Sequence, residues 1–264
     1  MRDDGCDQAL GLRRLFERRG MAQLSIAGTA GTTAVTLDLA VALAHLGRRV
    51  LILDRTLGEA AEGLGLKARF ELAHVIHGEK CVADVILRGP DGIHVLPAAR
   101  SLVAIDAGDR DAYRVLSELL DTSRERFDIC LVNGLPPASG GAGSAPREVL
   151  LVACPTGASV TEAYAQIKTL ARERTPCRFR VVVNRAASER AALSLYSSLA
   201  ETARRFLSAR LDYCGYLPGD TIPPAHGRRG GRGVAAGTHS PRAHAFTRLA
   251  EVLASETSVN HAAV

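Results

Sequence analysis

A glycine- and threonine-rich run, GTAGTT at 28–33, is the first candidate for chemistry in the sequence. Gly28 and Gly31 give the backbone the freedom to turn its N–H groups toward an anion, and a helix beginning after them adds the positive end of its dipole. Thr33 is placed to offer its hydroxyl to a magnesium ion. The run therefore predicts a loop of the kind that holds phosphate.

The same loop lacks the cation that phosphate chemistry uses. Loops of the G-K-[ST] type carry a lysine that reaches the β- and γ-phosphates, and here the triplet is Gly31, Thr32 and Thr33. One charge-assisted hydrogen bond contributes roughly 1.5–3 kcal/mol. Without the lysine, the stabilisation lost in the transition state of hydrolysis is larger than that lost in the bound ground state. We expect no hydrolysis. Weak binding of ATP or ADP with Mg²⁺ stays open, with Thr33 and Asp54 as candidate metal ligands.

Strands alternate with helices along most of the chain, and this pattern predicts the element that positions the loop. Apolar runs indicate strands at 24–27, 48–54, 93–98, 127–133, 148–154, 178–184 and 211–218. Helical stretches are predicted at 34–47, 57–64, 71–87, 110–126, 159–174, 188–208 and 242–255. Such alternation is typical of an α/β fold with a single doubly wound, mostly parallel sheet.

Composition divides the chain into four parts. Residues 1–20 predict an N-terminal helix, and 21–220 the α/β domain. Residues 221–241 are rich in Gly, Pro and Arg, and 242–264 form a C-terminal helix and tail. A second loop without regular structure is predicted at 136–146, after the fourth strand.

The C-terminal helix has an apolar face made of Phe246, Leu249, Val252 and Leu253. We expect this face to pack on the domain. Contact with a membrane surface is the alternative, although the stripe is short and its polar face is only weakly basic.

The overall composition is that of a globular protein. Hydrophobic residues make up 47% and charged residues 23% of the 264 residues, which is too apolar for wholesale disorder. The polar start of the chain predicts no secretory signal, and no apolar run reaches the length of a membrane span. Cys130 and Cys154 lie within apolar strands, which favours reduced core cysteines. We expect a cytoplasmic protein. Peripheral contact with the inner membrane stays open.

The net charge of +5 comes largely from arginines near the two ends of the chain and leaves a polyanionic partner open. The run RRGGRG (228–233) resembles an RNA-contacting segment, but a single copy is a weak signal. His74 and His77 have helical i, i+3 spacing, but no third metal ligand is apparent.

From LSIAGTAGTT through LGRRVLILDRTLG, the chain resembles the MinD/ParA family of P-loop ATPases, whose first loop reads roughly G-K-G-G-x-G-K-T. The resemblance places the family's dimer-contacting lysine at Ala27 and its phosphate lysine at Thr32. Without the first of these lysines, the chain is expected to be a monomer or to associate without nucleotide.

Three further family positions follow from the same resemblance. The strand-end D-x-D falls on Asp54, Arg55 and Thr56, so its second aspartate, which helps to position water, is lost. The Walker B aspartate, which holds the magnesium shell, becomes Asn133. Asn184 matches a position that contacts adenine, while the segment after residue 219 replaces a helical part of the base pocket.

Four charge-bearing family positions are thus replaced together, at Ala27, Thr32, Thr56 and Asn133. This combination predicts an inactive ATPase site with vestigial nucleotide-binding residues at Gly28, Gly31, Thr32, Thr33, Asp54 and Asn184. The alternative is a compensating lysine from elsewhere in the chain, such as Lys67 or Lys80.

Within this family, the flagellar number regulators of the FlhG (FleN) group carry an N-terminal helix with the pattern D-Q-A-x-x-L-R. The sequence DQALGLR matches it at Asp7, Gln8, Ala9, Leu12 and Arg13. The resemblance implies that this helix binds the GTPase FlhF and stimulates its GTP hydrolysis. It places Gln8 near the partner's nucleotide, Leu12 as the anchor and Arg13 in a polar contact. A helix that packs on its own domain is the alternative.

The group also implies a flagellar transcription activator or flagellar switch proteins as partners, and nothing in the sequence selects between them. Two other functions stay open. One is an active MinD-type ATPase that cycles between cytosol and membrane. The other is a ParA-like protein that binds nucleic acid without sequence specificity. This alternative is less favoured, because the basic signals in the sequence are weak.

Overall fold

Eight strands form one sheet in the computed structural model of the chain, which describes residues 21–28, 31–134, 146–172, 177–219 and 240–259. In chain order the strands are β1 (Ala22–Gly28), β2 (Val50–Asp54), β3 (Leu87–Arg88), β4 (Ile93–Pro97), β5 (Ile129–Asn133), β6 (Glu148–Ala153), β7 (Arg178–Ala186) and β8 (Leu211–Pro218). Across the sheet their order is β3-β4-β2-β5-β1-β6-β7-β8. Every neighbouring pair is parallel except β3 with β4.

Helices connect these strands on both faces of the sheet. They are α1 (Thr32–His45), α2 (Glu59–Gly63), α3 (Leu72–Ile76), α4 (Val82–Val85), α5 (Ala99–Asp106), α6 (Arg110–Ser123), α7 (Gly157–Ala171), α8 (Glu189–Leu207) and α9 (Pro241–Val259), with a 3₁₀ turn at Pro90–Gly92. Polar side chains cap α6, α7 and α8, since Asp109, Thr156 and Ser188 each accept backbone N–H groups of the first turn.

Alternation along the central strands divides the core into two faces. In β2, Val50 and Ile52 pack with α1 and α9, whereas Leu51 and Leu53 pack with α5 and α6 on the other side. Because both faces are covered, all five residues of β2 are buried. This is why the strands read as continuous apolar runs in the sequence. The doubly wound, mostly parallel sheet and its seven predicted strands are confirmed.

Two details of the sequence prediction are wrong. The helix predicted at 71–87 is two short helices, α3 and α4, followed by the short antiparallel strand β3. The backbone turns at Gly78 after α3, and β3 then pairs with β4 at the edge of the sheet. The sequence prediction also missed helix α5 (Ala99–Asp106).

The C-terminal helix α9 packs on the domain, as expected. Phe246, Leu249 and Leu253 are buried in the cluster that contains the apolar side of α1. Val252 was assigned to the same face, but it is 37% exposed, because it lies at the edge of the contact surface. Within the described ranges, every helix is too short or too polar to cross a lipid bilayer.

Parallel strands bring their carboxyl ends to one edge of the sheet, and this edge positions the site. Asp54 and Asn133 are register partners at the ends of β2 and β5, while β1 lies on the other side of β5 and ends at Gly28. At the opposite edge, the Arg49 guanidinium forms two hydrogen bonds with the Asp128 carboxylate, at 3.2 and 2.8 Å. This ion pair connects the beginnings of the strands that carry Asp54 and Asn133.

We expect Asp128→Asn to lower the free energy of unfolding by about 1 kcal/mol at pH 7. The hydrogen bonds from Arg49 hold the pKa of the Asp128 carboxyl below its usual value. A depressed folded-state pKa gives stability that is present above the unfolded pKa of about 4 and is lost as the pH falls further. The deficit of the variant should therefore shrink below about pH 4. Urea unfolding at several pH values measures it.

Asp121→Asn is the matched control for this prediction. Asp121 pairs with Arg124 on the surface of one helical segment, with both side chains more than half exposed. We expect its loss to change the free energy of unfolding by about 0.3 kcal/mol or less. An Asp128→Asn variant as stable as the wild type at pH 7 would show that the pair does not contribute.

Candidate functional site

The glycine loop lies at the carboxyl edge of the sheet, between β1 and α1. Gly31 precedes the helix with φ at 80°, a left-handed conformation that disfavours a side chain. Beside it is a cavity of about 310 Å³. Its lining residues are Ala27, Gly28, Gly31, Thr32, Thr33, Thr56, Glu59, Asn133, Gly134 and Gln166. The structure thus brings together the loop and the two strand-end positions singled out in the sequence.

Asn133 joins the parts of this site by hydrogen bonds. Its amide nitrogen donates to Asp54 Oδ1 and to Thr33 Oγ1, both at 3.3 Å. Its amide oxygen accepts from Thr36 Oγ1 at 3.1 Å. Asp54 is 0% and Asn133 1% exposed. An aspartate at position 133 would place two carboxylates side by side in this buried setting. The Asn133 amide instead donates a hydrogen bond that the Asp54 carboxylate accepts.

Both carboxylate oxygens of Asp54 are engaged by the protein itself. Oδ1 accepts from the Thr56 N–H at 3.0 Å and from the Thr56 hydroxyl at 2.6 Å. Oδ2 accepts from the Ala60 N–H at 3.2 Å, in the first turn of α2. The strand-end carboxylate therefore holds the loop that follows it, and Thr56 contributes a hydrogen bond where the family has a second aspartate.

Glu59 lines the cavity but was not among the residues that the sequence indicated. Its Oε2 accepts from Thr33 Oγ1 at 2.9 Å, and its own N–H donates to Thr56 Oγ1 at 3.1 Å. The side chain is exposed, at the first position of α2. One sequence signal was present: an acidic residue five positions after Asp54, in the loop that leaves the same edge of the sheet.

These contacts do not fit a magnesium ion held by Thr33 and Asp54. The Thr33 hydroxyl has one proton, which it donates to Glu59, and its oxygen accepts from Asn133. Asp54 already accepts four hydrogen bonds. Asn133 directs its amide N–H groups, which cannot coordinate a cation, toward both of them.

The two lysine positions of the family motif also carry uncharged side chains. Ala27 is 2% exposed and contacts the core on the side of α7 and α8. Thr32 Oγ1 is buried without a hydrogen-bond partner among the described residues. The compensating lysines considered above are not in the cavity lining. Lys80 lies with its ammonium 4.5 Å from the centre of the Phe70 ring.

Asn184, the predicted adenine contact, lies at the carboxyl end of β7 and faces the loop. Its amide nitrogen is 3.5 Å from the point where a Cβ on Gly31 would lie. Its amide oxygen accepts from Arg242 at 3.3 Å. Arg242 also donates to the Pro218 carbonyl at 3.0 Å and pairs with Asp38 at 3.5 Å. Sequence reasoning missed Arg242, because its contacts depend on where α9 packs.

Several predicted features lie outside the described residues. These are the DQALGLR motif and the segments 136–145 and 220–239. Within the described part of the chain, no group of three or more His, Cys, Asp or Glu side chains is arranged to hold a metal ion. The Nδ1 atom of His74 contacts the backbone of Glu71. Cys130 and Cys154 are buried, and burial raises the pKa of the Cys130 thiol to about 12.

Among known proteins, the antiactivator FleN is similar to this chain over most of its length. The chain is 37% identical over 198 residues to the antiactivator FleN of Pseudomonas aeruginosa, covering 73% of this chain and 71% of that protein. No protein-family model matches the chain.

Solved structures show the same fold at low identity. A ParA family ATPase from Chlorobium tepidum superposes with a TM-score of 0.63 at 16% identity, over 89% of this chain and 99% of that one. The MinD cell division protein of Aquifex aeolicus gives 0.59 at 18%, over 89% and 97%. With the glycine loop, the parallel sheet and the extended match to FleN, the chain belongs to the MinD/ParA family of P-loop ATPases, in its FleN (FlhG) branch.

Proposed function

We propose that the chain regulates flagellar number as an antiactivator-type protein, and that it acts by contacting partners without turning over ATP. The match to FleN supports the flagellar role. The observation that carries the second part is the Asn133 amide, which donates to Asp54 and Thr33 at the place where magnesium chemistry needs a carboxylate. The neutral Thr32 supports it independently.

The proposed contact with a partner lies in the N-terminal segment. DQALGLR (7–13) would bind an FlhF-type GTPase, with Gln8 orienting the water that attacks GTP, Leu12 anchoring the helix and Arg13 making a polar contact. A glutamine suits this task because it can hold water by hydrogen bonds without adding charge. The α/β domain would present this segment and contact a flagellar transcription activator or switch proteins.

The test of this proposal is GTP hydrolysis by FlhF in the presence of the full-length chain. The wild-type chain should accelerate hydrolysis, and Gln8→Ala should reduce the stimulation by roughly tenfold or more, because the attacking water loses its positioning group. Gln23→Ala, at an exposed position of β1, is the matched control and should stimulate fully. Equal stimulation by Gln8→Ala and the wild type would refute the role of Gln8.

Two competing functions give different results in direct assays. An active MinD-type ATPase would bind magnesium–ATP tightly and release phosphate, whereas we expect neither. A ParA-like nucleic-acid-binding protein would retain DNA with a steep dependence on salt. Attachment to membrane through α9 is less favoured, because Phe246, Leu249 and Leu253 are already buried against the domain.

A further inference from the structure

Glu59 places a carboxylate at the mouth of the glycine loop, where a phosphate would lie. Thr33 Oγ1 is 2.9 Å from Glu59 Oε2 and 3.3 Å from the Asn133 amide nitrogen. That same amide is 3.3 Å from the buried Asp54 carboxylate. One threonine hydroxyl of the loop is therefore flanked by two acidic groups, one in direct contact and the other across a single amide.

We infer that Glu59 is a specificity-determining residue of this cavity, and that its carboxylate keeps phosphate anions out of the loop. The inference deepens the proposed function and rests on it for its biological role, since it explains how the site stays without nucleotide. The loop thus lacks the lysine that would attract phosphate, and in addition a carboxylate outside the family motif repels it.

The hydrogen-bond count at Thr33 gives the first reason. A threonine hydroxyl has one proton to donate, and Glu59 accepts it. A phosphate oxygen that bound to this hydroxyl would have to displace the carboxylate, and would then lie beside it with the same sign of charge. The neighbouring Thr32 has no charge to offset this repulsion.

The surrounding charges give the second reason. Among the described residues that line the cavity, Glu59 is the charged one, while Asp54 lies directly behind Asn133. Two arginines lie near the glycines at its rim. A guanidinium nitrogen of Arg185 lies 3.9 Å from the point where a Cβ on Gly31 would lie, and the aliphatic part of Arg55 lies beside Gly134. Neither is among the lining residues. The Arg185 guanidinium lies at the Gly31 side of the loop, whereas the charge in direct contact with the Thr33 hydroxyl is the carboxylate of Glu59.

Binding of inorganic pyrophosphate to four full-length proteins tests this inference: wild type, Glu59→Gln, Thr32→Lys and the double variant. Glutamine keeps the oxygen that accepts from Thr33 but removes the charge. At low salt, one like charge at contact distance in water is worth about fivefold in affinity, so calorimetric titration should give about fivefold tighter binding for Glu59→Gln. The double variant should exceed Thr32→Lys by at least that factor, because Glu59 would otherwise neutralise the new lysine.

Glu62→Gln is the matched control, since it removes one exposed carboxylate from the same helix. It should change the affinity less than twofold. Equal affinities for Glu59→Gln and Glu62→Gln would overturn the inference, as would undetectable binding by the double variant when its melting temperature shows that it is folded.

The outcome is separable from that of the proposed function. Glu59→Gln should leave the stimulation of FlhF unchanged, because the N-terminal segment is intact. If the wild-type chain failed to stimulate FlhF while the pyrophosphate affinities followed the expected order, the partner proposal alone would fail.

Discussion

Asn133→Asp, which restores the family's acidic residue, should destabilise the protein by about 3 kcal/mol at pH 7. The amide nitrogen of Asn133 is 3.3 Å from Asp54 Oδ1, and both side chains are buried. A carboxylate in its place would replace a hydrogen bond by repulsion between like charges. It would also leave Thr33 without the donor that it now has. Chemical unfolding followed by circular dichroism measures the loss.

The pH dependence of this deficit has a definite sign. Two close carboxylates raise the pKa of one of them above that in the unfolded chain, so the folded variant binds a proton that the unfolded chain does not. Its stability is then lower at high pH, and the deficit should shrink between pH 7 and pH 5. Asn133→Ala, which removes the donor without adding charge, should show a deficit that is constant over this range. A pH-independent deficit for Asn133→Asp would contradict the explanation.

Gly28→Ala should destabilise the fold by about 3 kcal/mol, even though we expect the loop to hydrolyse no ATP. A Cβ at this position would lie 2.5 Å from the Val152 carbonyl oxygen and 2.9 Å from the Val152 Cβ. Both atoms belong to β6, which pairs with β1 in the centre of the sheet. The neighbouring strand is held on both sides and cannot move away. Thermal and urea unfolding should show the loss.

Gly157→Ala is the control for this substitution. Gly157 begins α7, and a Cβ there would have no atom within 4 Å. Alanine favours helix, so we expect no loss and a gain of up to roughly 1 kcal/mol. If both variants were equally stable, close packing would not explain Gly28. The expected contrast means that a glycine of the phosphate loop can be required by the sheet alone.

The fold was predictable because its main signals are local. Parallel strands covered on both faces require continuous apolar runs, such as VLIL in β2, and such runs are visible without any knowledge of tertiary contacts. The prediction failed at 71–87, where the apolar residues suit either a helix or a strand. There, pairing of Leu87 and Arg88 with β4 decides the outcome, and that pairing depends on residues later in the chain.

The candidate site was predictable to a similar degree. The family resemblance assigned Asp54 and Asn133 to one site, and the structure places them as register partners at the ends of neighbouring parallel strands. That Asn133 donates to both Asp54 and Thr33 depends on side-chain orientation, which the motif does not encode. Glu59 and Arg242 were missed for a different reason. The path of the loop after β2 sets the contact of the first, and the packing of α9 sets the contacts of the second. The role of DQALGLR stays a prediction.

Arg242 has a consequence for the connection between β8 and α9. Its guanidinium binds the Pro218 carbonyl at the end of β8, while Asp38 on α1 pairs with it from the other side. The two ends of the connection are thus fastened to each other and to the domain by residues outside it. Because the cost of closing a loop grows only slowly with its length, this junction is a place where the chain can gain or lose residues without disturbing the sheet. We therefore expect a reporter domain inserted between β8 and α9 to leave the sheet intact.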